Sequence, residues 1–473
     1  MLPFFKKMAY GVGRFGSTFI LTLTDLTTFY IYGAFFQLSW ILSGAALSAS
    51  FVVIGLTHWL TGYYSDQVDT QIGRRKPFVV IGAPGLAISA FMLFIPNWFL
   101  NTADPASELM VFGYYLAFIC LTKFFYAFLL TAYQAWMPEI TEEDERPLVS
   151  SMQNTANWVA TGGGIALGFV APFLFIAGPP PGLSDVGLSV LLAFCAIAVI
   201  FFIPSAIWIR ERPDIVIPER SLREETKTVL KNRVYFGWMI TVSFLSFTIT
   251  AIVAQVIGFA QQVLLLNTIP LLAIPALALV VAIMAFLFLW IKLLKRMGKG
   301  RALRLAMIVL GILLLAVPGI AALTNFISNV VVGVVFFVPL AACIAVYYLL
   351  SYVVPADIAQ VDELRTGESR AGMYEGFKGV PYNFAQAISA LLLGVVMQYS
   401  LMATGSNVFG LTWWAPIYAP FLFIAALILR YINIDPDFDM LKLSAAPKKK
   451  RAPRKKKKSG RKKKEEKAAP TVK

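Results

Sequence analysis

Two isolated charged residues, Asp25 and Lys123, are the side chains of this sequence whose chemistry most needs an explanation. Asp25 lies in the stretch LTLTDLTTFY, and no other Asp, Glu, Lys or Arg occurs between Arg14 and Asp66. Lys123 lies in the similarly apolar stretch LTKFFYAF. A charge held away from water is costly unless it is paired, and such residues are functional candidates by default. The two side chains therefore predict an ion pair with a role in binding or coupling.

Polar side chains in other apolar stretches are candidates for holding a hydroxylated solute. Amides can satisfy paired hydroxyl groups, and an indole face can stack on a sugar ring. The alternative for each of them is hydrogen bonding between helices, which is common for Asn and Gln in membranes. The candidates are Gln153, Asn157, Trp158, Asn383 and Gln386.

The single histidine, His58, lies in the stretch GLTHWLTG. An imidazole titrates near neutral pH, so His58 is a candidate for carrying a proton. The alternative is a packing residue that is held by a hydrogen bond near a helix end.

The composition places these residues in a membrane. The chain has 473 residues, of which 58% are hydrophobic and 14% are charged, whereas a soluble domain is about a quarter charged. The three cysteines are far apart and show no metal-ligand or disulfide spacing. We find no nucleotide-binding glycine loop, metal cluster or nucleophile–base motif. The sequence therefore predicts an integral membrane protein that is not an enzyme.

Apolar segments of about 20 residues or more, the length that crosses a bilayer, predict an all-α protein with twelve transmembrane helices in two six-helix halves. The predicted parts are an N-terminal half (1–209), a cytoplasmic linker (210–234), a C-terminal half (235–435) and a disordered Lys-rich tail (436–473). The predicted spans are 8–36, 40–65, 77–96, 108–137, 147–177, 186–210, 235–266, 270–294, 302–323, 328–354, 371–400 and 411–433.

Basic residues predict the orientation of these spans. Lys and Arg cluster at the N-terminus and in alternate loops such as GRRKPF (73–78) and KRMGKGR (295–301), whereas the loop NWFLNTADPASE (97–108) has none. Because cytoplasmic loops carry the excess of Lys and Arg, both termini are expected in the cytoplasm.

The tail carries most of the net charge. Sixteen Lys and Arg residues follow Leu441 against two glutamates, so the tail carries +14 of the total of +15. Such a tail is expected to contact anionic lipid headgroups or to serve only as a solvated anchor. Charge alone permits contact with nucleic acid, and we expect no specific nucleic-acid partner.

Four stretches resemble the major facilitator superfamily and, within it, the glycoside–pentoside–hexuronide:cation symporters, of which melibiose permease is an example. They are YGVGRFG (10–16), GYYSDQVDTQIGRRKPF (62–78), MPEITEEDER (137–146) and DELRTGESRAGMYEGF (362–377). The resemblance covers the chain up to about residue 435. It implies two halves around a central cavity and transport of sugars and related solutes, with Na⁺ or H⁺, by alternating access.

The charged residues of these motifs are expected to form a cytoplasmic gate, because they can pair with helix ends and carbonyl groups when that side closes. The alternative is that they only anchor the topology. The predicted gate residues are Asp66, Arg74, Arg75, Glu139, Arg146, Asp362, Glu363 and Arg365.

The sequence departs from the family at the acids inside the membrane. The resemblance implies a sugar-binding acid at Thr18, cation-binding acids at Ile54 and His58, and another acid at Leu130, and none of these residues is acidic. The lysine implied near Phe384–Gln386 is also missing. H⁺ is therefore the expected coupling ion rather than Na⁺, with Asp25, Lys123 and His58 as the coupling candidates and no metal or other cofactor.

Depth and direction bring Asp25 and Lys123 together. Asp25 lies about 17 residues from the cytoplasmic end of its helix and Lys123 about 14, so at 1.5 Å per residue their depths differ by roughly 5 Å. Each lies seven residues from a position, Thr18 or Leu130, that the resemblance places at the cavity. Thr22 shares the stripe of Thr18 and Asp25. The alternatives are a purely structural bridge between the first and fourth helices, or no contact.

These observations lead to one prediction of function. We expect an H⁺-coupled secondary transporter of a small polar solute, a sugar or glycoside, that works as a monomer in the plasma membrane. The alternatives are an uncoupled carrier, a carrier of amphiphiles or organic anions, and a nutrient sensor that signals through the basic tail.

Overall fold

The structure, a computed structural model, describes residues 3–68, 70–102, 104–141, 145–176, 181–209, 222–366 and 371–436. Within these residues the protein consists mainly of α-helices, with short 3₁₀-helices at Pro96–Trp98, Pro105–Ser107 and Ala171–Leu174 and one ribbon of two short strands. Helices dominate because a helix satisfies its own backbone N–H and C=O groups, as a lipid environment requires. The predicted tail after residue 436 and the part of the predicted linker before residue 222 lie outside the described residues.

The first group of helices runs from the N-terminus to the linker. Its members are α1 (Phe4–Ala34), α2 (Trp40–Gln67), α3 (Lys76–Leu93), α4 (Glu108–Ile140), α5 (Arg146–Val170), α6 (Asp185–Ile200) and α7 (Ile203–Trp208). Between α5 and α6, strand β1 (Phe175–Ile176) pairs antiparallel with β2 (Gly182–Leu183). The all-α prediction omitted this ribbon.

The second group follows the linker. Its members are α8 (Leu222–Lys231), α9 (Arg233–Gly258), α10 (Ile269–Met297), α11 (Lys299–Leu315), α12 (Val317–Leu323), α13 (Asn329–Thr366), α14 (Ala371–Thr404) and α15 (Val408–Arg430). A π-helical turn (Phe259–Val263) extends α9. The short helix α8 lies inside the predicted linker and packs on α9 and α14, so that part of the linker is folded.

The number of spans is close to the prediction. Ten helical segments of the described chain are long and apolar enough to cross a membrane, or eleven if α11 and α12, which are bent by 53°, form one span. Helix α1 is not among them, although it has 31 residues, because its threonines and Asp25 lower its hydropathy. A count of twelve therefore requires that α1 also crosses.

The two groups of helices meet mainly along three pairs of helices. Helix α2 packs extensively on α14, α1 packs on α9, and α5 packs on α10 over a shorter stretch. Helices α2 and α10 are each the second span of their group, and α5 and α14 are each the fifth. The α2–α14 and α5–α10 contacts are therefore equivalent if the second group repeats the first. This arrangement is expected of two parallel structural repeats. Below, the end of the bundle where Phe4 lies is called the predicted cytoplasmic side, and the end where Trp40 lies is called the predicted outer side.

The backbone repeats at equivalent places in the two groups. Gln37, after α1, and Leu265, after the π-helical turn, both have positive φ, at 52° and 55°. The next residues close matching turns, with Leu38 N donating to Tyr32 O and Leu266 N donating to Ala260 O, both at 3.0 Å. A left-handed backbone conformation at the end of a helix is unfavourable for residues other than glycine. Its occurrence at both places supports an internal repeat.

Candidate functional site

The ion pair predicted between α1 and α4 is present in the structure. Lys123 Nζ donates a hydrogen bond to Asp25 Oδ1. The Lys123 side chain has no exposed surface, whereas the Asp25 side chain keeps 24% of its surface exposed. Asp25 is therefore the partly exposed partner, and Lys123 is the enclosed partner.

An aromatic ring completes the environment of Lys123. The Lys123 ammonium lies 4.9 Å from the centroid of the Phe51 ring, which α2 contributes. The negative face of an aromatic ring attracts a cation, and the effect is larger where water is excluded. The sequence analysis missed Phe51, because nothing in a run of apolar residues distinguishes the ring that faces a charge. Helices α1, α2 and α4 thus meet at this ammonium.

A second polar cluster lies on α1 nearer the predicted cytoplasmic side. Asn157 Oδ1 on α5 accepts from Thr18 Oγ1 at 2.7 Å and from Arg14 Nε at 3.2 Å. Arg14 is only 9% exposed, and Thr18 is only 6% exposed. The sequence analysis predicted Thr18 and Asn157 but overlooked Arg14, although its positive charge lies ten residues inside α1. The structure places the two predicted residues together around this arginine.

His58 on α2 is held by α4. Its Nδ1 lies 2.7 Å from Thr131 Oγ1, and Thr131 Oγ1 donates its own proton to Ala127 O at 2.7 Å. With the single Thr131 hydroxyl proton directed to Ala127 O, His58 Nδ1 is assigned as the donor to Thr131. Nε2 is then the nitrogen of a neutral ring that can accept a proton. The positive charges of Arg14 and Lys378 lie within electrostatic range of this ring, and Lys378, on α14, was also missed.

The remaining predicted solute-binding residues are distributed over both groups of helices. Thr22 packs against Gly164 of α5. Trp158 makes an edge contact with Tyr348 of α13, with 5.8 Å between ring centroids, so this pair joins the two groups. Gln153 is buried, and its Nε2 makes no hydrogen bond of standard geometry within the described part of the chain, although its side chain lies next to the Tyr133 hydroxyl of α4.

The two amides on α14 differ in their surroundings. Asn383 is buried, donates to Gly379 O of its own helix at 2.7 Å, and packs against Gly55 of α2. This hydrogen bond lies within α14, so it is not the bond between helices that was the alternative for Asn383. Gln386 is half-buried.

The predicted cytoplasmic gate is described only in part. The side chains of Asp66, Glu139 and Arg146 lie outside the described residues. Arg75 is buried and donates to Ser65 of α2, and Arg74 is half-buried. At the end of α13, Asp362 is half-buried, and Glu363 and Arg365 are exposed.

Ion pairs that the sequence analysis did not identify also lie on this side. Lys7 of α1 pairs with Glu145 at 2.9 Å, just before α5. Lys299, at the start of α11, pairs with Asp357 of α13. Each pair joins helices of the same group, so each pair holds one group together. Pairing across a fold depends on helix neighbours, which the sequence motifs do not specify.

On the predicted outer side the two groups are joined by hydrogen bonds. Tyr30 of α1 donates to Gln261 Oε1 at 3.0 Å and accepts from Gln262 Nε2 at 3.1 Å, both in the π-helical turn. At the start of α2, Trp40 N donates to Gln398 Oε1 of α14 at 3.0 Å, and Trp40 Nε1 donates to Asn407 Oδ1 at 3.0 Å. These hydrogen bonds therefore hold the two groups of helices together on this side of the bundle.

A helical membrane bundle that consists of two groups of helices and buries charges inside it is the architecture of a solute transporter. A comparison with family profiles agrees: residues 8–434 match a family described as MFS/sugar transport protein. The chain belongs to this family, so it is a transporter and not an enzyme.

A curated relative is similar over part of its length. An uncharacterized symporter of Synechocystis sp. is 26% identical over 240 residues, which are 48% of this chain and 41% of that protein. The match thus spans about two-fifths of that relative's length.

Solved transporter structures share the fold at low sequence identity. A D-xylose-proton symporter has a TM-score of 0.66 and 15% identity, over 91% of this chain and 97% of that one. A bacterial homolog of the human lysosomal transporter Spinster, in an inward-facing and unoccupied conformation, has a TM-score of 0.63 and 13% identity, over 93% and 98%. The nucleoside transporter NupG has a TM-score of 0.58 and 14% identity, over 90% and 98%. At these identities the likeness concerns the fold.

Proposed function

We propose that the protein is an H⁺-coupled secondary transporter of a small polar solute, a sugar or glycoside, that works by alternating access. The observation that carries this proposal is the intramembrane ion pair, in which Lys123 is sealed and Asp25 is partly exposed. A buried pair of this kind costs desolvation energy, and in membrane helices it marks a pathway for ions or solutes. The D-xylose-proton symporter of the same fold supports both the solute class and the ion.

In the proposed mechanism, Asp25 takes up a proton and gives up its ionic contact with Lys123. Protonation removes the negative charge of Asp25, so the Lys123 ammonium loses its partner. Hydroxyl groups of the solute then bind at the polar stripe of Thr18 and Asn157. His58 Nε2 is a second place for the proton. The contacts of Tyr30 and Trp40 on the predicted outer side must break in one half of the cycle, because alternating access opens the binding site to each side of the membrane in turn.

Several finer proposals accompany this one. The positive charge of the loops supports a plasma-membrane protein with both termini in the cytoplasm. We also propose a monomer. The expected contact of the tail with anionic lipid headgroups lies outside the described residues and stays a prediction.

Uptake into proteoliposomes tests the proposal. Purified protein is reconstituted, and the uptake of labelled sugars is measured with and without an inward pH gradient. Accumulation above the external concentration that requires the gradient is the expected result. Entry that stops at equal concentrations would indicate an uncoupled carrier. Binding without entry would favour a sensor and contradict transport.

A further inference from the structure

Arg14 is a buried cation that is not part of the Asp25–Lys123 pair. Its residue surface is 9% exposed, and its hydrogen bond within the described residues is from Nε to Asn157 Oδ1 at 3.2 Å. No carboxylate of the described chain lies within ion-pair distance of it. A guanidinium stays charged at all physiological pH values. Within the described residues, the charge of Arg14 therefore lacks an anion that the protein supplies.

The hydrogen-bonding capacity of Arg14 is also incomplete. Nε is used, whereas both terminal nitrogens have no acceptor among the described residues. These nitrogens are not among the fully buried polar atoms that lack a partner, so each keeps some accessible surface. A guanidinium edge with free N–H groups matches the two oxygens of a carboxylate, phosphate or sulfate.

The direction of the side chain argues against a merely anchoring role. A lysine or arginine near a helix end often extends toward the membrane surface. Arg14 instead shares the acceptor Asn157 Oδ1 with Thr18, which lies four residues, or about 6 Å, deeper along α1. The guanidinium therefore points into the bundle, and the shared amide oxygen fixes its orientation.

The surroundings add positive charge. Arg14 and Lys378 both lie within electrostatic range of His58. The one described carboxylate on the same stripe of α1, Asp25, is already paired with Lys123. On this stripe of α1 the described residues thus supply no second carboxylate that could pair with Arg14.

We infer that Arg14 binds an oxyanion of the transported solute, a carboxylate or a phosphate or sulfate ester, while Thr18 and Asn157 hold its orientation. The inference rests on the proposed transport function, and it narrows the solute from a neutral sugar to a hydroxylated anion. We call Arg14, Thr18 and Asn157 the Arg14 site.

Binding to the full-length purified protein tests this site without knowledge of the natural solute. Thermal unfolding is followed during titration with sodium sulfate, sodium phosphate, D-glucuronate and D-glucose, at constant ionic strength with chloride. The variants are R14Q and R14K, and R301Q is the matched control because Arg301 is an exposed arginine on α11. General salt effects act on all four proteins alike, so only the difference between variants reports the site.

We expect saturable stabilisation of the wild type by at least one of the three anions, and none by D-glucose at the same concentration. R14Q should weaken the apparent affinity at least tenfold, as expected for a hydrogen bond to a charged group, and R301Q should leave it unchanged. The preferred anion distinguishes a carboxylate from a phosphate or sulfate ester. Equal stabilisation of the wild type and R14Q, or no saturable effect of any anion, would overturn the inference.

R14K keeps the test decisive if R14Q does not fold. Lysine is a point charge without the planar fork, so R14K should bind the preferred anion more weakly, and unchanged affinity would overturn the inference. The transport function is judged separately by uptake. Gradient-driven accumulation of D-glucose without anion binding would overturn only the Arg14 site. Arg14-dependent anion binding without uptake of either D-glucose or D-glucuronate would overturn only the transport proposal.

Discussion

Lys123 and Asp25 form one ion pair but differ in how far each side chain is buried. The Lys123 side chain has no exposed surface and contacts Asp25 and the ring of Phe51. If Asp25 lost its negative charge, water could not solvate the buried Lys123 ammonium in its place. The stability of the fold therefore depends on the Asp25 carboxylate. Asp25, with part of its surface exposed, can meet a proton or a solute. The asymmetry of burial is thus the basis for assigning the coupling role to Asp25.

A double-mutant cycle tests this pair. D25N leaves the sealed Lys123 without a counter-charge and should lower the free energy of unfolding by about 3–5 kcal/mol. K123Q leaves Asp25 without a counter-charge and should lower it by less, because part of the Asp25 side chain is exposed. The double variant should be more stable than the sum of the two effects predicts, with a coupling energy of about 1–3 kcal/mol. Thermal or denaturant unfolding in detergent measures the four proteins.

Transport separates a coupling role from a structural one. If Asp25 takes part in coupling, the double variant should bind solute but lose accumulation driven by a pH gradient. If the pair is only structural, accumulation should persist in whatever protein folds. Additive effects on stability would contradict an energetic coupling between Asp25 and Lys123.

At the scale of helices, glycines determine how closely α2 and α14 approach. A Cβ added to Gly44 would lie 2.6 Å from Ala390 O, and one added to Gly394 would lie 2.5 Å from Trp40 O. Both contacts are with backbone atoms, which cannot rotate away. Small residues allow membrane helices to pack at this distance. These two glycines therefore hold the two groups of helices together on the predicted outer side.

Replacement of either glycine should loosen this side. G44A and G394A are each expected to lower the free energy of unfolding by about 1–3 kcal/mol, because overpacking forces the backbones apart. G113A is the matched control, since a Cβ at Gly113 on α4 meets no atom within 4 Å. Thermal unfolding of the three variants checks the prediction. Equal stability of G44A, G394A and G113A would show that the close approach is not needed.

At the scale of the whole molecule, charge and repetition determine the arrangement in the membrane. The matching turns at Gln37 and Leu265 occur 228 residues apart, which relates the starts of α2 and α10. Equivalent loops in two parallel repeats lie on the same side of a membrane. The Lys- and Arg-rich loops of the two halves then agree with a single orientation.

Labelling of single cysteines tests this orientation. After Cys120, Cys195 and Cys343 are replaced by serine, a cysteine placed at 104–106 should react with an impermeant reagent in intact cells. A cysteine placed at 215–225 should react only after permeabilisation, because basic loops remain in the cytoplasm. Reaction of the 215–225 cysteine in intact cells would contradict the predicted topology.

Periodic properties of the chain were enough to predict most helices and one long-range contact. Apolar segments of sufficient length predict helices because, in lipid, the backbone N–H and C=O groups must form hydrogen bonds with one another. Depth and face of a helical residue follow from rise and periodicity, which is why Asp25 and Lys123 could be matched although they are 98 residues apart. The family resemblance predicted the gate residues, and the distribution of Lys and Arg predicted the orientation; both remain predictions.

Other features depended on the tertiary structure. The Phe51 ring over Lys123, the shared acceptor of Arg14 and Thr18, and the closed outer contacts of Tyr30 are set by which helices are neighbours.

The amino-acid sequence by itself determined the membrane class, the helical segments and the isolated charges, because these follow from composition and from a period along one chain. Only the tertiary structure decided which charge is sealed, which cation lacks an anion among the described residues and which side is closed. Those outcomes depend on the rotation and spacing of helices about one another, and a change of a few ångströms alters each contact without altering any pattern in the sequence.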